Sequence, residues 1–135
     1  MAAVRPQVGI VEWARRARSA ELTSRAIADA LGQAAMAADD PTARVALLDR
    51  ARRHGWCAEQ WAAVVPVLHD VDLSAVTTID DPALRAPFDA PGLANDADVS
   101  AIWEGWANEA GSVADAPFVF VIERTLRELR PDGSR

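Results

Sequence analysis

The sequence predicts an all-α protein, and three features of its residues support this class. Apolar side chains recur at intervals of three and four in four separate segments, which is the spacing of one helix face. The strict alternation of apolar and polar residues that is typical of strands is nearly absent. Alanine, the residue with the highest helix propensity, is frequent in the longest segments. We therefore expect residues 1–135 to form a single domain of four helices.

Composition excludes several classes of protein. The chain has 135 residues, is 50% hydrophobic and carries a net charge of −6, which argues against a general nucleic-acid binder. No apolar run approaches the roughly 18 residues that a membrane span needs. The N-terminus shows no charged segment followed by a long apolar run, as a secretory signal would. A single cysteine, Cys57, fits a reducing compartment, so we expect a cytoplasmic protein.

The first half of the chain predicts two long helices, at 9–38 and 41–69. Asp40 is the expected N-cap of the second helix, Pro41 suits its first turn, and Pro66 should kink or end it. The short link between the helices predicts an antiparallel hairpin. The expected inward stripes are Trp13, Ala20, Ile27, Leu31 and Ala34 in the first helix, and Leu47, Ala51, His54, Ala58, Trp61 and Val65 in the second.

The second half predicts a long irregular connection followed by two shorter helices. Residues 71–96 contain three prolines and five aspartates, so little regular structure is expected there. The helices are predicted at 97–110 and 116–130. Their expected inward stripes are Val99, Ile102 and Trp106, and then Phe118, Ile122, Leu126 and Leu129.

Two segments resemble a weakly characterised group of bacterial ferritin-like proteins. They are RRHGWCAEQWAAVVPVLHDVD in the second helix and SVADAPFVFVIERTLRELR in the fourth. The Pro–Val–Leu–His–Asp end of that group is matched at Pro66 to Asp70, whereas its His–Ala–Trp element reads His54-Gly55-Trp56 here. The resemblance covers about half of the chain. It implies a ferritin-like antiparallel four-helix bundle, with residues 71–96 as the crossover loop between helices two and three.

His54 is the candidate catalytic and metal-binding residue, because it lies in the middle of an apolar stripe. Its imidazole is either a metal ligand or general base, or a core side chain hydrogen-bonded to a neighbouring helix. Ferritin-like di-iron enzymes use Glu-x-x-His motifs, and none occurs in this sequence. We therefore expect no cofactor. The alternative is iron or manganese held by His54 with carboxylates from other helices.

Trp56 and Phe120 are the candidate interface residues. Trp56 is expected to project away from His54, and Phe120 away from the stripe of its own helix. Large apolar side chains on outer faces often mark interfaces, so we expect a homodimer, with another protein or a small molecule as a possible further partner. No nucleic-acid or membrane partner is expected.

Three functions remain open at this stage. The first is a ferritin-like binding or assembly protein without a complete di-iron ligand set. The second is a small biosynthetic enzyme in which His54 and carboxylates from other helices bind a metal or perform acid–base chemistry. The third is an accessory subunit of a catalytic partner. Cys57 as a nucleophile and His69 as a ligand are the less favoured candidates, against a small apolar role and a helix cap.

Overall fold

The computed structural model describes residues 8–65, 72–80, 96–111 and 113–130, and every regular element in these ranges is helical. The predicted all-α class is confirmed. The helices are α1 (Ile10–Ala37), α2 (Pro41–Val64), α3 (Asp96–Glu109) and α4 (Ala116–Leu129), with a short 3₁₀ turn at Val113–Asp115 before α4. In the ranges described, no helix has the length and apolar character to cross a membrane.

The start of α2 forms as its sequence predicts, but its end comes earlier. The Asp40 side chain accepts a hydrogen bond from the backbone N–H of Ala43, which caps the helix. The predicted end at residue 69 is wrong, because Val65 already has an extended backbone. Val65 precedes a proline, and the proline ring disfavours the α conformation in the residue before it. His69 and Asp70 lie outside the described residues.

Contacts between side chains give the relative directions of the helices. α1 and α2 pack closely as a hairpin around the turn at residues 38–40. Arg124 and Glu128 of α4 face Trp56 and Arg52 of α2, respectively, so α4 runs antiparallel to α2.

The third helix runs parallel to α2. His54 contacts Asp96, and seven residues further along both helices Trp61 contacts Trp103. The backbones of α2 and α3 approach each other less closely than those of α1 and α2, and they meet through large side chains.

The core lies between these four helices and is rich in tryptophan. The Trp13 ring stacks on Phe118 at 5.1 Å, and the Trp61 ring lies 5.6 Å from Trp103 and 5.9 Å from Trp106. The buried apolar side chains with no more than 1% exposure are Trp13, Ala14, Ala17, Ala20, Ile27, Leu31, Ala35, Cys57, Ala58, Trp61, Trp103 and Ile122.

The predicted inward stripe needs some correction in each of the four helices. In α3 the buried side chains are Val99, Ser100 and Trp103, and the predicted Ile102 and Trp106 are only partly buried. The face of α3 is thus rotated, because its first turn faces His54 and brings Ser100 inward. Ala35 is buried in α1 and the predicted Ala34 only partly so. In α2 and α4, Leu47, Ala51 and Leu126 are partly buried instead of central, and so is Val65 just after the end of α2.

The described part of the predicted loop, residues 72–80, has no helix or strand and lies along α1. The Ser19 hydroxyl donates a hydrogen bond to the Thr77 carbonyl at 2.8 Å, and the Ile79 N–H donates to the Thr23 hydroxyl at 2.8 Å. Two side chains on one face of α1 therefore hold this segment in place. Residues 71 and 81–95 of the predicted loop lie outside the described ranges.

Candidate functional site at His54

His54 lies in the middle of α2 and its side chain is wholly buried. Its Nε2 atom is 2.9 Å from Oδ1 of Asp96, the first residue of α3. Nη2 of Arg50, one turn earlier on α2, lies 3.2 Å from the same carboxylate oxygen. The structure therefore brings a carboxylate from another helix to the candidate histidine, and Arg50 contacts the same carboxylate oxygen.

The Asp96 carboxylate is held in its charged form. Its burial favours the neutral acid, but the hydrogen bonds that it accepts from His54 and Arg50 and the positive charge of the Arg50 guanidinium outweigh this effect, so the pKa of Asp96 lies below its usual value. An ionised carboxylate only accepts hydrogen bonds. Nε2 of His54 therefore carries the hydrogen of this contact, and Nδ1 is the remaining ring nitrogen.

Nδ1 of His54 is buried and has no hydrogen-bond partner. With Nε2–H donating to a carboxylate, a neutral imidazole has a bare acceptor at Nδ1. This is the ring geometry of a general base: one nitrogen is oriented by a carboxylate and the other is open to accept a proton. What the site lacks, in the ranges described, is a direct route from solvent to that nitrogen, since the side chain is 0% exposed.

The groups next to His54 that could bind a metal come from few residues in the described ranges. Among the described residues, no group of three or more His, Cys, Asp or Glu side chains is placed to hold a metal ion. His54 and Asp96 supply two groups, and Asp96 already bonds the His54 ring and Arg50. The alternative of iron or manganese remains a prediction to be measured.

Cys57 is a buried side chain one turn after His54. Its exposure is 0%, and burial together with the negative charges of Glu128 and Asp96 raises the pKa of the thiol well above its ordinary value. A thiol in this setting stays neutral and is a poor nucleophile. The arrangement fits a small apolar core residue.

The two candidate interface residues lie on the same side of the molecule, but they differ in exposure. Phe120 is 57% exposed, whereas Trp56 is partly buried and packs against the core. The expectation that Trp56 projects outward is therefore only partly met. The guanidinium of Arg124 lies 5.4 Å from both ring centres and bridges the two side chains.

An apolar groove of about 730 Å³ lies next to Phe120, at the junction of α3 and α4. Val113, which is 92% exposed, stands at its edge. The groove is lined mainly by small or apolar side chains, namely Ala107, Ala110, Gly111, Val113, Ala116, Val119 and Phe120, with Glu123 at the margin. We call this surface the Phe120 face.

The residues predicted from the sequence do not include Asp96, Ser100 or Trp103 of α3, which the structure places on the side of α3 that faces α2. Asp96 is the last residue of the predicted irregular connection at 71–96, and an aspartate at a helix start is a good candidate for a structural contact. Ser100 and Trp103 follow it on the same helix face, four and seven residues on. This periodicity was the available signal, and a serine at its centre concealed it.

Comparison of the chain with models of known protein families, with curated proteins and with solved structures gives no match.

Proposed function

We propose that the protein is a ferritin-like helical-bundle binding and assembly protein that acts as a cytoplasmic homodimer. The helix directions support the ferritin-like part of this proposal. α2 and α3 run parallel and are joined by a long connection, while α4 runs antiparallel to α2, which is the order of a bundle with one crossover.

The observation that carries the assembly proposal is the Phe120 face. It places a protruding aromatic ring, Phe120, directly beside a groove floored by small side chains such as Ala107 and Gly111. A two-fold contact needs such self-complementarity, because the same surface supplies both the protrusion and the recess. A second copy of the chain is therefore the partner that this surface fits.

Charges next to Phe120 favour the same partner. Glu123 lines the groove and Arg124 lies beside the Phe120 ring. A two-fold rotation brings the acidic and basic groups of one copy towards those of the other, so opposite charges can pair across the axis. A partner whose surface carried only positive or only negative charge would leave either Arg124 or Glu123 without an opposite charge.

Light scattering coupled to size exclusion tests the proposal with Phe120→Asp. Burying an exposed phenylalanine contributes on the order of 1.5–3 kcal/mol. The dissociation constant of the dimer should therefore rise by roughly tenfold or more in this variant. Met36→Asp is the matched control, because Met36 is 81% exposed on α1 and outside the Phe120 face. A monomeric wild type, or a dimer that only Met36→Asp disrupts, would contradict the proposal.

A second candidate function is a small biosynthetic enzyme that uses His54 and Asp96 for acid–base chemistry or metal binding. Their 2.9 Å contact is the specific observation in its favour. Elemental analysis of the purified protein separates the two candidates. Substoichiometric iron and manganese are expected for a binding protein, whereas stoichiometric metal that is lost in His54→Ala would favour the enzyme.

A further inference from the structure

Several buried polar atoms along the boundary of α2 and α3 have no hydrogen-bond partner. They are Nδ1 of His54, the indole Nε1 atoms of Trp61 and Trp103, and the hydroxyl of Ser100; the Ser24 hydroxyl of α1 is also unpaired. All five side chains are no more than 1% exposed. Buried polar groups without partners are costly, and such groups in a native protein usually bind water or a ligand. We call these five atoms the polar track.

Contacts made by neighbouring residues show where the members of the polar track lie relative to one another. Asp96 contacts His54, and Ser100 follows Asp96 by one helical turn on the same face. Ser24 lies at the level of His54, because the neighbouring residues Arg25 and Gly55 line one surface depression between α1 and α2. Ser24 and Nδ1 of His54 therefore lie at one level of the core, and the hydroxyl of Ser100 lies about one helical turn further along α3.

The track continues along the helix axis towards the tryptophans. Trp61 and Trp103 each lie further along their helices and their rings are 5.6 Å apart. Seven residues separate His54 from Trp61, which corresponds to about 10 Å of helix. Unpaired hydrogen-bonding groups are thus present near His54 and again near Trp61, at the two ends of this helical segment.

Thr125 shows how a buried hydroxyl can be satisfied within its own helix, which Ser24 and Ser100 could also do. The buried Thr125 hydroxyl donates to the backbone carbonyls of Val121 and Ile122 on its own helix, at 2.9 and 3.0 Å. Ser24 and Ser100 lie within helices too, where the same bond to a preceding carbonyl is possible. They do not make it, so their hydroxyl groups are available to another partner.

We propose that the polar track is a binding site for ordered water in the interior of the bundle, with Nδ1 of His54 as its main acceptor. Water supplies both donors and acceptors, so it can accept from the indole N–H groups, bridge the serine hydroxyls and donate to Nδ1. The backbones of α2 and α3 approach each other less closely than those of α1 and α2, and the two helices meet through large side chains. No second copy of the chain is required.

The site gives His54 a defined chemical setting. Water that donates to Nδ1, with the Asp96 carboxylate on the opposite ring nitrogen, is positioned as in sites where a histidine accepts a proton from water. This arrangement is a property of the folded chain alone, so its test is independent of the oligomeric state.

Serine-to-alanine substitutions test the site through the sign of the change in Tm. If water bridges the hydroxyls, Ser24→Ala and Ser100→Ala lose hydrogen bonds and Tm should fall by roughly 2–6 °C. If the site is dry, the substitutions remove unpaired buried hydroxyls and introduce a better helix former, so Tm should rise or stay the same. Thr125→Val is the matched control, and its fall in Tm gives the scale for losing a bonded buried hydroxyl.

Nuclear magnetic resonance of the wild-type protein provides the second measurement. The indole N–H signals of Trp61 and Trp103 can be assigned with Trp→Phe variants. Both signals should show cross-relaxation with water, and the sign of the cross-peaks distinguishes this effect from hydrogen exchange. Loss of these cross-peaks in Ser100→Ala would place the water beside α3. Absence of the cross-peaks in the wild type, or a rise in Tm in both serine variants, would overturn the proposal.

Discussion

His54 and Asp96 are joined by one 2.9 Å hydrogen bond that ties the middle of α2 to the first residue of α3. The bond links parts of the chain that are 42 residues apart and gives a buried imidazole its only charged partner among the residues described. Together with the Arg50–Asp96 ion pair, this directional contact fixes the position of α3 along α2 more specifically than the packing of aromatic rings does.

Asp96→Ala should destabilise the protein. The substitution leaves the Nε2–H of His54 buried without an acceptor, which costs about 1–3 kcal/mol. Urea unfolding measures the loss. Asp98→Ala is the matched control, because Asp98 lies in the same first turn of α3 and has the same effect on the helix dipole. Equal losses in the two variants would show that the His54 contact contributes nothing beyond the dipole.

The same contact should make stability depend on acid pH. The pKa of Asp96 is lower in the folded protein than in the unfolded chain. Its contribution is therefore complete above the unfolded-state value and is lost as the pH falls through the folded-state value. As the pH is lowered from neutral, the free energy of unfolding should fall less steeply in Asp96→Ala than in the wild type. If both proteins lose stability equally between neutral and acid pH, the assignment of an ionised Asp96 carboxylate is wrong.

The sequence predicts helices well where one face is clearly apolar, and it predicts contacts poorly where the face contains polar residues. The hairpin of α1 and α2 and its Asp40 cap follow from local signals, which need no knowledge of the rest of the fold. The burial of Ser100 and the pairing of Asp96 with His54 depend on how α3 docks after a long irregular connection. The spacing of Asp96, Ser100 and Trp103 is a local signal, but it does not specify how α3 docks, and the sequence predicts Trp106 on the inward stripe.

Cys57 should be unreactive in the folded protein. Burial and nearby carboxylates raise the pKa of its thiol, so the thiolate that attacks alkylating reagents is almost absent. Mass spectrometry after brief exposure to iodoacetamide at mildly alkaline pH should show no label on the native chain and complete label in concentrated guanidinium. Rapid labelling of the native protein would instead restore Cys57 as a candidate nucleophile.

The segment at residues 72–80 should be released from α1 by Thr23→Val. Valine has the shape of threonine but cannot accept the hydrogen bond from the Ile79 N–H. Loss of a bond worth about 1 kcal/mol should speed hydrogen exchange of the Ile79 amide roughly fivefold. Ser19→Ala is the control, since it removes the neighbouring bond to the Thr77 carbonyl and leaves the Ile79 bond in place. An equal effect of both variants at Ile79 would indicate that the segment moves as one unit.

Trp56→Ala and Phe120→Ala should separate folding from assembly, although Arg124 contacts both rings. Trp56 packs against the core, so its removal should cost about 1–3 kcal/mol in the free energy of unfolding. Phe120 is mostly exposed, so its removal should change that free energy by less than about 0.5 kcal/mol when the protein is dilute enough to be monomeric. The dimer, measured by light scattering at higher concentration, should weaken in Phe120→Ala. If Phe120→Ala instead unfolds the dilute protein and leaves the dimer intact, Phe120 is a folding residue and the Phe120 face is not the interface.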